Sequence, residues 1–159
     1  MTAAQRHRGG APVGLVADLD PVEAGLVIYL RLYCSGDDAR EQAERDFTLS
    51  LGPDHGTEAL ESLGRICELC ADHGRRPLMR HGISCKCLGA DESCLANMVA
   101  AAGTGEREEA MLLAALMVRA DMAPCLAGLA ETLGLALARM AAMADVVVPR
   151  AAGQPVTLH

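Results

Sequence analysis

Apolar positions recur at helical spacing through most of the chain, and turn residues divide them into six segments. Asp20, Pro21 and Glu23 form a helix start, in which an acceptor side chain, a residue with no N–H to lose and a first-turn acid stand in order. The first helix is predicted from 20 to about 34. Ser35 and Gly36 end it, and a second, acid-rich helix over 37–51 shows Ala39, Ala43, Phe47 and Leu51 on one narrow face before Gly52 and Pro53. A third helix is expected from about Thr57 to Asp72, with Leu60, Leu63, Cys67 and Cys70 as its stripe.

After a basic segment the pattern restarts. Asp91 and Glu92 open a predicted fourth helix carrying Leu95, Met98, Val99 and Ala102, and Gly103 closes it. Thr104, Gly105 and Glu106 introduce a fifth, to about Arg119. Asp121 is expected to cap a sixth, in which Leu126, Leu129, Leu133, Leu137 and Met140 line one face to about Ala144. The fold class that follows is all-α, a compact bundle of about six helices. The halves superpose at an offset of 69 to 71 residues: Asp20 falls on Asp91, Ser35-Gly36 on Thr104-Gly105, and Glu61 to Gly64 on Glu131 to Gly134. This suggests two similar three-helix units; chance matching in a Leu- and Gly-rich chain is the competing explanation. In domain terms, 18–145 is one helical domain, made of 18–72, a Cys/His loop at 73–90 and 91–145. Residues 1–17 and 146–159 are expected to be flexible tails.

Composition agrees with that architecture. Of 159 residues, 51% are hydrophobic and only 2% aromatic, with one Phe, two Tyr and no Trp, so the core must be built from Ala and Leu. The net charge of −7 argues against general nucleic-acid binding. The N-terminus lacks the form of a secretion signal. Arg119, Asp121, Pro124 and Glu131 interrupt the most apolar stretch, so no uninterrupted run of the roughly 18–20 residues a membrane helix needs is expected. These features predict a soluble cytoplasmic protein, a compartment in which closely spaced cysteines serve as ligands, redox thiols or packing rather than stable disulfides.

Seven cysteines are present, and five of them fall between Cys67 and Cys94 together with His73 and His81. Thiolates and imidazoles are the preferred donors for tetrahedral zinc, and a structural site takes four. The set singled out is Cys70, His81, Cys85 and Cys87, with Cys67 and His73 as substitutes. Cys67 and Cys70 lie on the same stripe as Leu60 and Leu63, so core packing competes with ligation there. Cys34, Cys94 and Cys125 are read as buried filler, and the methionines as core rather than copper ligands. An iron–sulfur cluster ranks below zinc because the spacing fits no cluster motif.

Arg75, Arg76, Arg80 and Lys86 make the 75–87 segment basic with no acid, which favours thiolates and offers an anion contact. Nucleotide-loop and hydrolase motifs are absent. The leading expectation is a non-enzymatic interaction or regulatory module holding one structural zinc ion, with a protein or a second copy as partner. A thiol redox protein or sensor using Cys85 and Cys87, with His81 as base, is the first alternative. A scaffold whose cysteines only pack is the second.

Overall fold

The computed structural model describes residues 8–147 and is an all-α bundle. Its helices are α1 (Pro21–Tyr33), α2 (Asp37–Leu51), α3 (Pro53–His73), α4 (Ala90–Gly103), α5 (Arg107–Met117) and α6 (Ala123–Val147). A two-stranded antiparallel ribbon joins β1 (Pro12–Leu15) to β2 (Cys87–Gly89), with Leu15 opposite Cys87 and Pro12 opposite Gly89.

Helix starts follow the chemistry of single residues. Asp20 accepts a hydrogen bond from the Glu23 N–H at 2.9 Å, ahead of Pro21 in the first turn. Gly52, at φ +83°, ends α2 and begins α3 in one residue, and Pro53 follows where no N–H is needed. The third helix therefore starts at Pro53 rather than Thr57. The fourth is capped by Gly89, not Asp91: the Glu92 carboxylate reaches back to the Gly89 N–H at 2.9 Å. Asp121 lies in a short 3₁₀ turn, Ala120–Met122, beside Arg119 and caps nothing.

The largest departure is at the N-terminus. Residues 8–17, expected to form part of a flexible tail, make a 3₁₀ turn and then β1, held by Ala90 N–H to Ala11 O at 2.9 Å and Val16 N–H to Lys86 O at 3.0 Å. The expected tails at 1–7 and 148–159 lie outside the described residues.

The core is aliphatic apart from one ring. Leu26, Leu30, Leu63, Leu95, Leu126 and Leu133 are fully buried around Phe47 and Met98. Helix α6 is the axis, packing on α1, α3, α4 and α5. By length and composition the stretch Ala120–Ala144 is sufficient to cross a membrane; Leu126, Leu133 and Leu137 are buried against the other helices, whereas only 28% of its most apolar window is buried. The two halves share an order of three helices but not their packing: α4 lies along α6, whereas α1 makes no comparable contact with α3.

At the α4–α6 crossing, Gly103 and Gly134 meet backbone to backbone. A Cβ on Gly134 would run into the Val99 carbonyl and lie 2.9 Å from the Gly103 Cα. Gly134→Ala is therefore expected to cost ~1–3 kcal/mol by overpacking, read as a lower urea midpoint. Gly128→Ala on the same helix meets nothing within 4 Å. It should stabilise by roughly 0.5–1 kcal/mol through helix propensity, and equal shifts for the two variants would refute the crossing argument.

Candidate functional site

Two carboxylates in the first turn of α4 hold the Cys/His loop in place. Glu92 is fully buried and takes a two-pronged hydrogen bond from Arg31 of α1, Nε to Oε1 at 2.7 Å and a terminal nitrogen to Oε2 at 2.9 Å. The same guanidinium donates to the carbonyls of Cys85 at 2.6 Å and Cys87 at 2.8 Å, and Glu92 also accepts the His81 N–H at 3.1 Å. Asp91, also buried, pairs with Arg76 through both oxygens and accepts the Met79 N–H at 2.8 Å. Burial alone would raise the pKa of Glu92. The hydrogen bonds from Arg31, Gly89 and His81 outweigh it and hold the carboxylate below its ordinary range. Gly9 fits against the Arg76–Asp91 pair, where a Cβ would collide with both side chains.

Within this frame His81 turns toward the N-terminal segment. Its Nε2 lies 2.8 Å from the Gly10 carbonyl, and its Nδ1 lies 3.4 Å from the Cys85 Sγ. A carbonyl only accepts, so Nε2 carries the proton and Nδ1 is free to take one from the thiol. The contact with Cys85 raises the His81 pKa, and the Gly10 carbonyl adds to it. The Cys85 thiol is lowered, first by His81 and then by the Cys87 N–H. The arrangement is a nucleophile, a base in reach of it, and a third group that orients the base. Gly89 makes room for the ring: a Cβ there would stand 2.9 Å from His81 Cδ2.

The remaining sequence candidates lie elsewhere. Cys67 faces Cys34 at the end of α1, and Cys70 is buried beside Cys94 and Asp91. His73 ends α3 and faces Arg119, 3.2 Å from its Nδ1. Cys87 begins β2, its backbone committed to Cys85 and Arg31. Among the described residues no three His, Cys, Asp or Glu side chains are grouped to share an ion. The set Cys70, His81, Cys85 and Cys87, with Cys67 and His73, is thus not brought together. Helix α3 packs mainly on α2 and α6, with Cys67 beside Cys34 and Cys70 beside Cys94, whereas the loop folds toward residues 8–12.

The three cysteines read as filler also differ from expectation: Cys125 is exposed, and Cys34 and Cys94 are half-buried. Cys34 and Cys67 line a cleft of about 600 Å³ with Cys70, Arg75, Arg76 and Arg80. Lys86, grouped with these arginines in the sequence, is not among its walls. The hydrogen bond with Cys67 lowers the Cys34 thiol to about 6, aided by Arg80 and Arg40, while the same contact and burial push Cys67 up.

Arg31, Glu92, Gly10 and Cys34 were not singled out from sequence, although two of them left a trace. Arg31 falls on the stripe of Leu26, Val27 and Leu30, and Glu92 on that of Leu88, Leu95 and Val99. A single charge on each of two buried stripes signals a buried pair. Comparison of the chain with protein-family models, with curated proteins and with solved structures gives no match in any of the three.

Proposed function

We propose that this protein is a thiol redox module or sensor in which Cys85 is the reactive nucleophile and His81 its base. The observation that carries the reading is the Nδ1–Sγ contact of 3.4 Å, with the opposite ring nitrogen fixed on Gly10. A thiolate held beside an imidazolium attacks peroxides: the S–O bond forms, the O–O bond breaks, and His81 protonates the departing hydroxide to water. The sulfenic acid that remains condenses with a second thiol, for which Cys87 stands two residues along, giving a disulfide and water. The half-exposed position of Cys85 admits such a reagent. The chemistry suits a reducing compartment, where the thiols are restored.

A second reading, the zinc-binding interaction module, draws on the same contact. A separation of 3.4 Å also suits two corners of a tetrahedral zinc site, with Cys87 as the next donor and a fourth ligand from a protein partner or a second copy.

One experiment separates them: metal content of protein purified without added zinc, with peroxide and alkylation rates of each thiol. Less than about a tenth of an equivalent of zinc is expected, with fast modification of Cys85. His81→Asn should slow that modification at least about tenfold at pH 7, and Cys85→Ser should abolish it. Near-stoichiometric zinc, with Cys85 protected until a chelator is added, would overturn the redox reading in favour of the metal module.

A further inference from the structure

We propose that Cys34 and Cys67 form a second dithiol–disulfide couple, distinct from Cys85, whose cleft accepts a small anionic disulfide. Three observations place the pair. Both thiols line one cleft of about 600 Å³, and each shifts the titration of the other. One turn before Cys67, Gly64 lets the end of α1 close on α3: a Cβ there would stand 2.5 Å from the Tyr33 hydroxyl, in the residue next to Cys34. No acid lines the cleft, whereas Arg75, Arg76 and Arg80 do.

Those arginines are set in fixed positions around the opening. Arg80 donates one terminal nitrogen to the Cys34 carbonyl at 2.7 Å, and Arg75 donates its Nε to the Ala115 carbonyl at 2.6 Å, which leaves one terminal nitrogen of Arg80 and both of Arg75 for a ligand. Arg40 stacks on the Tyr33 ring at 4.2 Å and donates to the Tyr33 carbonyl at 3.2 Å, adding positive charge near Cys34. Positive charge around a thiol favours its thiolate and attracts carboxylates, so the fitting substrate is the disulfide of an acidic thiol peptide. Arg76 is occupied by Asp91 and contributes a wall rather than a free donor.

The exchange balances without further reagents. The Cys34 thiolate attacks one sulfur of the disulfide, forming a mixed disulfide and expelling one thiolate. Cys67 then gives up its proton to that thiolate and attacks the Cys34 sulfur, releasing the second. The protein loses two protons and two electrons, the Cys67 proton to the first thiolate and the proton that Cys34 had released to solvent to the second, and the small disulfide becomes two thiols.

The test treats the full chain with glutathione disulfide, with the neutral disulfide of 2-mercaptoethanol, and with neither, followed by peptide mapping. Expected are a Cys34–Cys67 crosslink in the wild type and equally in Cys85→Ser, and a mixed disulfide trapped on Cys34 in Cys67→Ser. Arg80→Gln with Arg75→Gln removes charge that favours the Cys34 thiolate and so slows both reagents, but should slow the anionic one about tenfold more than the neutral one. Absence of the crosslink in Cys85→Ser, or an unmodified Cys34 in Cys67→Ser, would overturn the couple; equal rates with the two reagents would overturn the anionic ligand. Because Cys85→Ser retains this reaction and loses the peroxide reaction, failure of one proposal is distinguishable from failure of the other.

Discussion

Arg31→Met is expected to cost ~3–5 kcal/mol of folding stability, seen as a large drop in the urea midpoint. The substitution keeps much of the side-chain volume and removes only the guanidinium. It leaves Glu92, fully buried, with no counter-charge, and strips the Cys85 and Cys87 carbonyls of their donors. Replacing both partners, as Arg31→Met with Glu92→Leu, should recover part of the loss, because an apolar pair of similar volume avoids stranding a charge. Recovery stays incomplete because the Gly89 and His81 N–H groups then lack an acceptor. A midpoint for Arg31→Met equal to that of the wild type would show that the pair contributes nothing.

The same pair sets a pH dependence. Glu92 titrates lower in the folded chain than in the unfolded one, so between those two values the unfolded state binds the extra proton and stability rises with pH. The contribution is complete above the ordinary carboxylate pKa of about 4.3 and is lost as pH falls through the lower folded value. Urea midpoints measured from neutral pH into the acid range should show a shallower acid limb in Glu92→Gln. An unchanged limb would assign the acid dependence to other carboxylates.

Phe47→Ala is expected to cost ~3–5 kcal/mol as well, by another route. Phe47 is the only phenylalanine and is fully buried, and its ring meets Tyr29 edge-on at 4.8 Å with the planes 77° apart. Apart from Tyr29 the core it belongs to is aliphatic, mostly Leu, Val and Ala, with little length to fill the space it would vacate, so the cavity term is added to the lost transfer energy. Tyr29 is otherwise tied through its hydroxyl to Asp46 at 3.1 Å, which limits its movement into the gap. Phe47→Leu should cost clearly less. Thermal or urea unfolding measures both, and the alkylation rate of Cys85 in the still-folded fraction should be unaffected, because Phe47 is not part of the loop frame. A cost below about 1 kcal/mol would mean the core refills the space, against its composition.

The helices were readable because their cause is local. In α3, Leu63 and Cys70 are buried while Leu60 and Cys67 are partly buried beside Ala59 and Ile66, and in α4 Leu95, Val99 and Ala102 bury as their spacing requires. Boundaries failed where a glycine began a helix ahead of the side chain expected to do so, Gly52 ahead of Thr57 and Gly89 ahead of Asp91. The site was readable only as a region. Cys67, Cys70, Cys85 and Cys87 look like one cluster along the chain, but a helix sends neighbouring thiols to different partners, Cys67 to α1 and Cys70 to α4. The partners that matter, Gly10 for His81 and Arg31 for the loop, are distant in sequence and carry no motif. His81 with Cys85 was legible as a pair; what oriented it was not.

Those distant partners also fix when the loop can form. The contact from His81 to Gly10 spans 71 residues and that from Arg31 to Glu92 spans 61, so the first cannot close until His81 has emerged from synthesis and the second until the start of α4 has. Contacts of such separation carry their loop-closure entropy before they return any stabilisation, which places them late in folding. Helix hairpins such as α2–α3 need no such wait. A nascent chain therefore has organised helices before it has an organised thiol centre, and the histidine beside Cys85 is oriented only once the N-terminal segment has met the loop.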